Sequence, residues 1–397
     1  MTDDPLLRRA RELKDELVAF RRDLHQHPEL SFAEQRTAQR GRAWLEALGL
    51  EVRSGIAGTH GVLGTLDSGR PGPTLILRAD MDALPITEAT DRAYASQTPG
   101  VMHACGHDVH TTCVLGAATL LAEQRERLRG RVRFVLQPAE EAPPGGAIRL
   151  IEEGGILEGV DAALALHVHA GIPVGQMGFR PGVMLAHSDR FTIRIHGVGG
   201  HAARPHLAVD AVAVAVQVYQ ALQYLVSREN SPFHPFVLTV GALQAGTAAN
   251  IIPGEATLLG TARSLDRTVS QGLPARIERV VAGVCQSMRA SYTLDYLHGY
   301  PGLVNDERFT ELAISSVRGL LGEQAIFRIP TPEMGGEDFA YFTQRVPGTM
   351  FRLGVGNEAR GIVYPVHSPR FDVDEDAIPL GAAALARIAL DYGNEAH

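Results

Sequence analysis

The sequence predicts an α/β fold in two parts, a mixed-sheet domain made of residues 1–186 and 299–397 and an α+β domain inserted over 187–298. Three observations predict it. Short apolar runs bounded by Gly and Pro alternate with helical patterns through the first half of the chain. The middle of the chain reads β-α-β-β-α-β, the order of a ferredoxin-like unit. The α/β texture then resumes, so the middle part is inserted rather than appended.

Leu6, Leu7, Ala10, Leu13, Leu17, Val18 and Leu24 mostly recur at steps of three and four and predict one amphipathic helix, with His25 and His27 complementing its negative pole before Pro28. A second helix over about 34–48 stops at Gly49 and leads to a strand near 51–53. Residues 61–66 and 73–78 read as buried strands, the second releasing Asp80 and Asp82 at its end. A helix is expected over about 110–126, a strand over 131–137 ending in Glu140 and Glu141, a helix over 147–153, and a strand over 162–166 that delivers His167 and His169. Ligand-type residues therefore recur where strands meet loops, which is where open α/β sheets hold their chemistry.

Within the inserted domain, strands are expected over 191–196, 236–241, 256–262 and 292–297, and helices over 207–227 and 268–290. A helix near 308–321, a Gly-rich turn at 334–339, a strand over 350–354 and a closing helix over 376–392 complete the chain.

The composition narrows the partner. The chain has 397 residues, 45% of them hydrophobic and 21% charged, and carries a net charge of -8. Acidic residues outnumber basic ones 45 to 37 and no Lys/Arg run occurs, which argues against a nucleic-acid surface and for a small-molecule partner. Its three cysteines, Cys105, Cys113 and Cys285, make no disulfide framework and favour a reducing compartment. The acidic start, without an apolar core of a leader, and the lack of any 18-residue apolar run read as a cytoplasmic protein with no membrane partner.

The chemistry begins at Met102–His110, where one thiol, three imidazoles and a carboxylate fall together around Gly106. Thiolate and neutral imidazole are preferred ligands of zinc-like ions, although a small buried cysteine with capping histidines would read the same way locally. Taken with Glu141, His167 and His367, the residues Cys105 and His107 form a donor set too large for one tetrahedral site and too small to close two. That count suits two adjacent ions with open positions, as in hydrolases where a water between the ions loses its proton near neutral pH. Consecutive side chains of an extended segment point apart, so Glu141 can face the metal while Glu140 acts as general base. Asp80 and Asp82 are candidates to hold ligand imidazoles by their other ring nitrogen.

Seven segments together carry a family resemblance: Arg78–Ile86, Met102–Asp108, Gln137–Glu141, Gly199–His206, Asn250–Pro253, Gly335–Phe339 and His367–Phe371. In order and spacing they resemble the binuclear metal amidohydrolases that include hippurate hydrolases, auxin-conjugate hydrolases and N-acyl-amino-acid deacetylases, over about residues 20–390 and with no departure from the family's metal-site pattern. The resemblance implies a zinc-peptidase-like mixed-sheet catalytic domain and an inserted α+β ferredoxin-like lid that also mediates dimerisation. Carried over by motif, Cys105, His107, Glu141, His167 and His367 would bind two divalent ions such as Zn, Mn, Ni or Co, with Glu140 as base and Asp82 beside it in the catalytic set. His201, commonly from the lid of a second copy, would donate to the substrate carbonyl oxygen, and Asn250 and Arg263 would hold the substrate carboxylate. The implied activity is hydrolysis of the amide of an N-acyl amino acid by a homodimer or higher homo-oligomer. A dipeptidase or carboxypeptidase on the same scaffold, a metal-containing small-ligand binding protein, and a thiol hydrolase with Cys105 as nucleophile are the alternatives.

Overall fold

The computed structural model describes residues 4–395. These fall into two compact units, one comprising the chain up to Gly182 together with Val304–Thr331 and the segment from Asp338 onward, the other comprising Val183–Leu303 and Pro332–Glu337.

The first unit is built on an eight-stranded sheet. In spatial order its strands are Glu51–Ile56, Gly61–Asp67, Arg131–Gln137, Thr74–Asp80, Ala162–Pro173, Gly348–Gly356, Met177–Phe179 and Ile326–Arg328. The four central strands, from Arg131–Gln137 to Gly348–Gly356, run parallel, and the antiparallel pairings lie on either side of them. Parallel strands are covered on both faces and read as continuous apolar runs, and every residue of Thr74–Asp80 and of Gly348–Gly356 is buried. One covering layer contains the His107–Glu123 helix, buried from His107 through Leu121 and packed against the Ala377–Glu395 helix. A helix apolar on all sides belongs inside a layer rather than on a surface.

Register decides which loops meet. Asp80 pairs with Gln137 in the parallel ladder, and Arg78 pairs with Ala165. The loop bearing Asp82 and the loop bearing Glu140 and Glu141 therefore leave the sheet side by side, with His167 two residues beyond the level of Arg78.

The second unit carries a four-stranded antiparallel sheet in the order Phe236–Ala245, Glu255–Ser264, His187–His196 and Ser291–Tyr300. With helices Ala211–Tyr224 and Arg267–Ser287 between the strands, this is the ferredoxin-like order. Val214, Val218 and Leu222 of the first helix join Leu273, Ile277 and Val281 of the second in a core with Phe191, Ile193 and Ile195 of the sheet. Asp210 and Asp266 cap the two helices, their carboxylates accepting from the N–H groups of Val212 and Val269. A separate two-stranded ribbon pairs Gly200–His201 with Ile251–Ile252.

The structure departs from expectation in two places that bear on the site. The single helix expected over Leu6–Leu24 is two, Pro5–Glu12 and Lys14–Gln26, because the chain turns at Leu13 while the buried apolar stripe continues across the break. The strand expected to end at Leu166 runs on to Pro173, held by pairing of His167 with Arg352 and His169 with Gly354, so His167 sits within a strand rather than past its end. Among the described residues no helix is long and apolar enough to cross a membrane.

Candidate metal centre

Gly106 makes the opening cluster possible. Its φ of 79° lies in the left-handed region, and a Cβ there would stand 2.5 Å from Val168 Cγ2, so only glycine lets the chain turn between Cys105 and the first residue of the His107–Glu123 helix. Cys105 is thereby brought against the middle of the Ala162–Pro173 strand, with its Sγ 3.5 Å from His167 Nε2. His167 Nδ1 donates to the Val168 carbonyl at 2.8 Å, which leaves the Nε2 lone pair facing the thiol.

Overlapping groups of donor atoms result, three of them built from the residues expected to bind metal and Glu140. Cys105, His107 and His167 form one, Cys105, Glu141 and His367 a second, and His107, Glu140 and Glu141 a third, with the donor atoms of each group within 4.8 Å of one another. His367 reaches the site from a left-handed backbone (φ 66°), its N–H bonded to the Ala104 carbonyl, and its Nε2 lies 3.2 Å from Glu141 Oε1.

Carboxylates from other parts of the chain hold these donors. Asp82 lies with Oδ1 3.3 Å from His107 Nδ1 while accepting the N–H groups of Glu140 and Glu141, both at 3.0 Å, and the Ser31 hydroxyl at 2.6 Å. Asp80 accepts His110 Nδ1 at 2.6 Å, and His110 Nε2 accepts the Val168 N–H at 2.9 Å. Behind them the buried Arg78 guanidinium joins Asp80 and Asp338, both at 2.6 Å, to Gln137 at 2.9 Å.

The electrostatics of this wall are those of a cation site. Burial pushes the Cys105 thiol up to about 12 even with His107 beside it, so the thiol stays protonated unless a cation takes the place of its proton. A nucleophilic cysteine needs the opposite shift, which counts against the thiol-hydrolase alternative. Burial and then His110 hold His167 well below the usual imidazole range, keeping it neutral as a ligand must be. Burial opposes a charged His107, but Asp80 and Cys105 outweigh it and hold the ring well above its ordinary value. The ring atoms of His107 and Glu141 Oε1 are buried with no well-formed hydrogen bond. Buried polar atoms without partners are uncommon in a native fold, and here they sit among soft and borderline metal donors. One thiol, three imidazoles and a carboxylate, in two triads that share Cys105, fit a pair of divalent ions.

The sequence profile of Peptidase family M20/M25/M40 matches residues 76–391, the span that holds every residue of this wall from Arg78 to His367. The chain belongs to that family. Among its M20 relatives, the N-acyl-L-amino acid amidohydrolase of Geobacillus stearothermophilus is 43% identical over 77% of this chain and 82% of its own. Thermostable carboxypeptidase 1 of Saccharolobus solfataricus is 37% identical over 97% of both chains. The crystal structure of Bacillus subtilis YxeP, described as a dinuclear metal binding peptidase of the M20 family, superposes with a TM-score of 0.84 at 33% identity, covering 97% of this chain and 99% of that one.

The remaining candidates belong to the second unit of this M20 chain. His201 is exposed on the two-stranded ribbon opposite Ile251, its Nδ1 accepting the Ala203 N–H at 3.1 Å. Asn250 is exposed one residue before that partner strand, and its carbonyl accepts the Ala202 N–H at 3.1 Å, so these two residues are neighbours. Arg263 lies apart from them on the four-stranded sheet, half-buried, donating to the carbonyls of Asp189 and Ala262 at 3.2 and 3.3 Å.

Several residues of the site escape a reading of the sequence. Arg78 carries a usable signal, since a buried strand rarely contains an arginine unless it is paired. His110, which the sequence leaves without a role, orients against Asp80, whereas Ser31 gives no local sign of its bond to Asp82. His25 stands in the last turn of the Lys14–Gln26 helix, as expected, but it does more than complement the helix end. It is buried and donates through Nδ1 to Asp108 Oδ2 at 2.8 Å, beside Arg21 Nε at 2.7 Å, so that Asp108 ties the start of the His107–Glu123 helix to the Lys14–Gln26 helix.

Proposed function

We propose that this M20 chain hydrolyses the amide bond of N-acyl amino acids at two divalent ions held by Cys105, His107, Glu141, His167 and His367. The observation that carries the reading is the pair of donor triads sharing Cys105, with ring atoms of His107 and Glu141 Oε1 buried among them and lacking well-formed hydrogen bonds. Bound ions of this kind polarise a carbonyl and lower the pKa of water. Zn, Mn, Ni and Co all suit this mixed donor set, and availability decides among them.

The chain's own residues divide the rest of the work. Glu140 is held by its backbone N–H on Asp82, takes the proton of the attacking water and returns it to the leaving nitrogen. Asp82 fixes the Glu140–Glu141 pair and faces the His107 ring. The inserted domain, residues 187–298, acts as lid and dimerisation domain, and its His201 donates to the oxygen on which negative charge develops. Asn250 and Arg263 hold the substrate carboxylate, for which the planar guanidinium is a suitable fork. The free, buried cysteines suit the reducing conditions of the cytoplasm.

The amidohydrolase relative supports an N-acyl amino acid as substrate. The carboxypeptidase relative, which covers more of the chain, favours a peptide substrate as the second reading. Acetyl-, benzoyl- and aminoacyl-linked amino acids assayed side by side separate the two. Glu140→Gln is expected to keep its metal and lose at least ~10²-fold in kcat on the preferred substrate. Wild-type turnover in that variant removes Glu140 from the mechanism.

A further inference from the structure

Besides the Ser31 hydroxyl on Asp82, the segment 29–34 touches the metal-site loops at three further points, none of which the mechanism above uses. Leu30 bridges to Ala83, and the Glu29 carbonyl accepts the Ala83 N–H at 2.8 Å. The third point is Glu34. It is completely buried, and its Oε1 accepts two backbone N–H groups, Phe32 at 2.9 Å and Ala139 at 2.7 Å.

Both of those residues are strained. Phe32 has φ 64° and Ala139 φ 55°, a left-handed conformation that is unfavourable for a residue with a Cβ. Such outliers persist only where the surroundings hold them, and they gather at functional sites. Ala139 immediately precedes Glu140 and Glu141. Its left-handed turn makes three successive N–H groups converge on carboxylates, Ala139 on Glu34 and then Glu140 and Glu141 on Asp82. Concave rows of consecutive amides of this kind bind anions, and here the anions come from residues 34 and 82.

Stability alone does not account for Glu34. Its Oε2 is buried with no hydrogen bond, and burial pushes the carboxyl up to about 7, so the fold keeps an acid where a neutral residue would be easier to bury. We infer that Glu34 is a positioning residue, its Oε1 locking the left-handed turn at Ala139 so that Glu140 and Glu141 both reach the His107 donor group, one as base and the other as ligand. The inference rests on the assignment of Glu140 as general base, and it concerns an acceptor atom rather than a charge.

Two variants test it in the full-length, metal-loaded protein. Glu34→Ala removes the acceptor, whereas Glu34→Gln keeps a carbonyl oxygen in its place. On the preferred N-acyl amino acid, Glu34→Ala is expected to lower kcat per metal-loaded chain by ~10- to 100-fold with KM within about threefold, the scale on which small misplacements of catalytic groups act. Glu34→Gln should recover kcat to within about threefold of wild type. Amide hydrogen exchange over residues 137–142 provides a readout that needs no activity: exchange at Ala139 should speed at least tenfold in Glu34→Ala and stay near wild type in Glu34→Gln. A merely structural Glu34 lowers the melting temperature of Glu34→Ala but leaves kcat per loaded chain and the local exchange unchanged, which overturns the inference. So does a Glu34→Gln variant as impaired as Glu34→Ala. If wild type hydrolyses no member of the panel, the proposed function fails while the exchange measurement still decides whether Glu34 locks the turn at Ala139.

Discussion

The wall around Cys105 in the first unit and the ribbon carrying His201 in the second contribute side chains of similar chemistry in opposite settings. In the wall, His107 and Asp80 are fully buried, and Asp82 and His110 nearly so, and the carboxylates accept bonds from residues 51, 58 or 30 positions away in sequence. In the ribbon, His201 and Asn250 are exposed; the long-range ties described for them are made by the backbone, and the His201 side chain is bonded only to the nearby Ala203 N–H. The first arrangement is pre-organised, with its geometry fixed by long-range contacts before any substrate arrives. The second leaves its side chains free to be oriented by what they bind. Changes in the wall should therefore register in folding and metal retention, and changes in the second unit in turnover and substrate binding.

The largest effect is expected where the wall is most deeply tied. Asp108→Ala leaves the buried Arg21 guanidinium with Glu375 alone, at 3.3 Å, as its carboxylate partner, and breaking a buried pair costs up to about 3–5 kcal/mol. Arg21 and His25 outweigh burial and hold the Asp108 carboxyl far below the usual carboxylate range. A depressed carboxyl stabilises the fold above its unfolded value, near ~4, and loses that contribution as pH falls toward the folded value. Urea midpoints of wild type and Asp108→Ala should thus differ most near pH ~5–6, where His25, opposed by burial but raised by Asp108, also carries its charge in the wild type, and converge below ~4. Complete convergence on raising the pH instead would mean that the pair is not what stabilises this corner.

A smaller but sharper effect belongs to the ribbon. His201→Ala is expected to lower kcat by ~10²–10³, the loss seen when a donor to a developing oxyanion is removed, with melting temperature and metal content unchanged. Loss of metal in that variant would erase the contrast between the two regions. Arg263→Ala should do least, raising KM by about tenfold for substrates with a free carboxylate and leaving their amidated analogues unaffected, since about 1.4 kcal/mol is tenfold in an equilibrium constant. An equal change for both substrates would remove Arg263 from carboxylate binding.

The same contrast explains what was legible in the sequence. The donors around Cys105 and the strands that carry them are visible because apolar runs punctuated by Gly and Pro are local signals, and the proposed metal ligands stand at or near the ends of those runs. The ferredoxin-like order of the second unit is legible for the same reason. What holds the wall together is not local. Glu34 meets Ala139 across 105 positions, Arg78 meets Asp338 across 260, and nothing in either neighbourhood announces the other end. The break at Leu13 is silent because no Gly or Pro marks it and the apolar stripe passes straight over it. The strands Met177–Phe179 and Ile326–Arg328, three residues each, are too short to show a period.

The central claim is that five side chains converging on Cys105 hold two ions, and elemental analysis tests it most directly. The protein is stripped with chelator, reloaded with manganese or zinc, freed of unbound metal and analysed alongside Glu140→Gln. The account predicts about two ions per chain in both proteins, with wild-type activity rising as the second ion binds. A single tightly held ion per chain, or none, would contradict it.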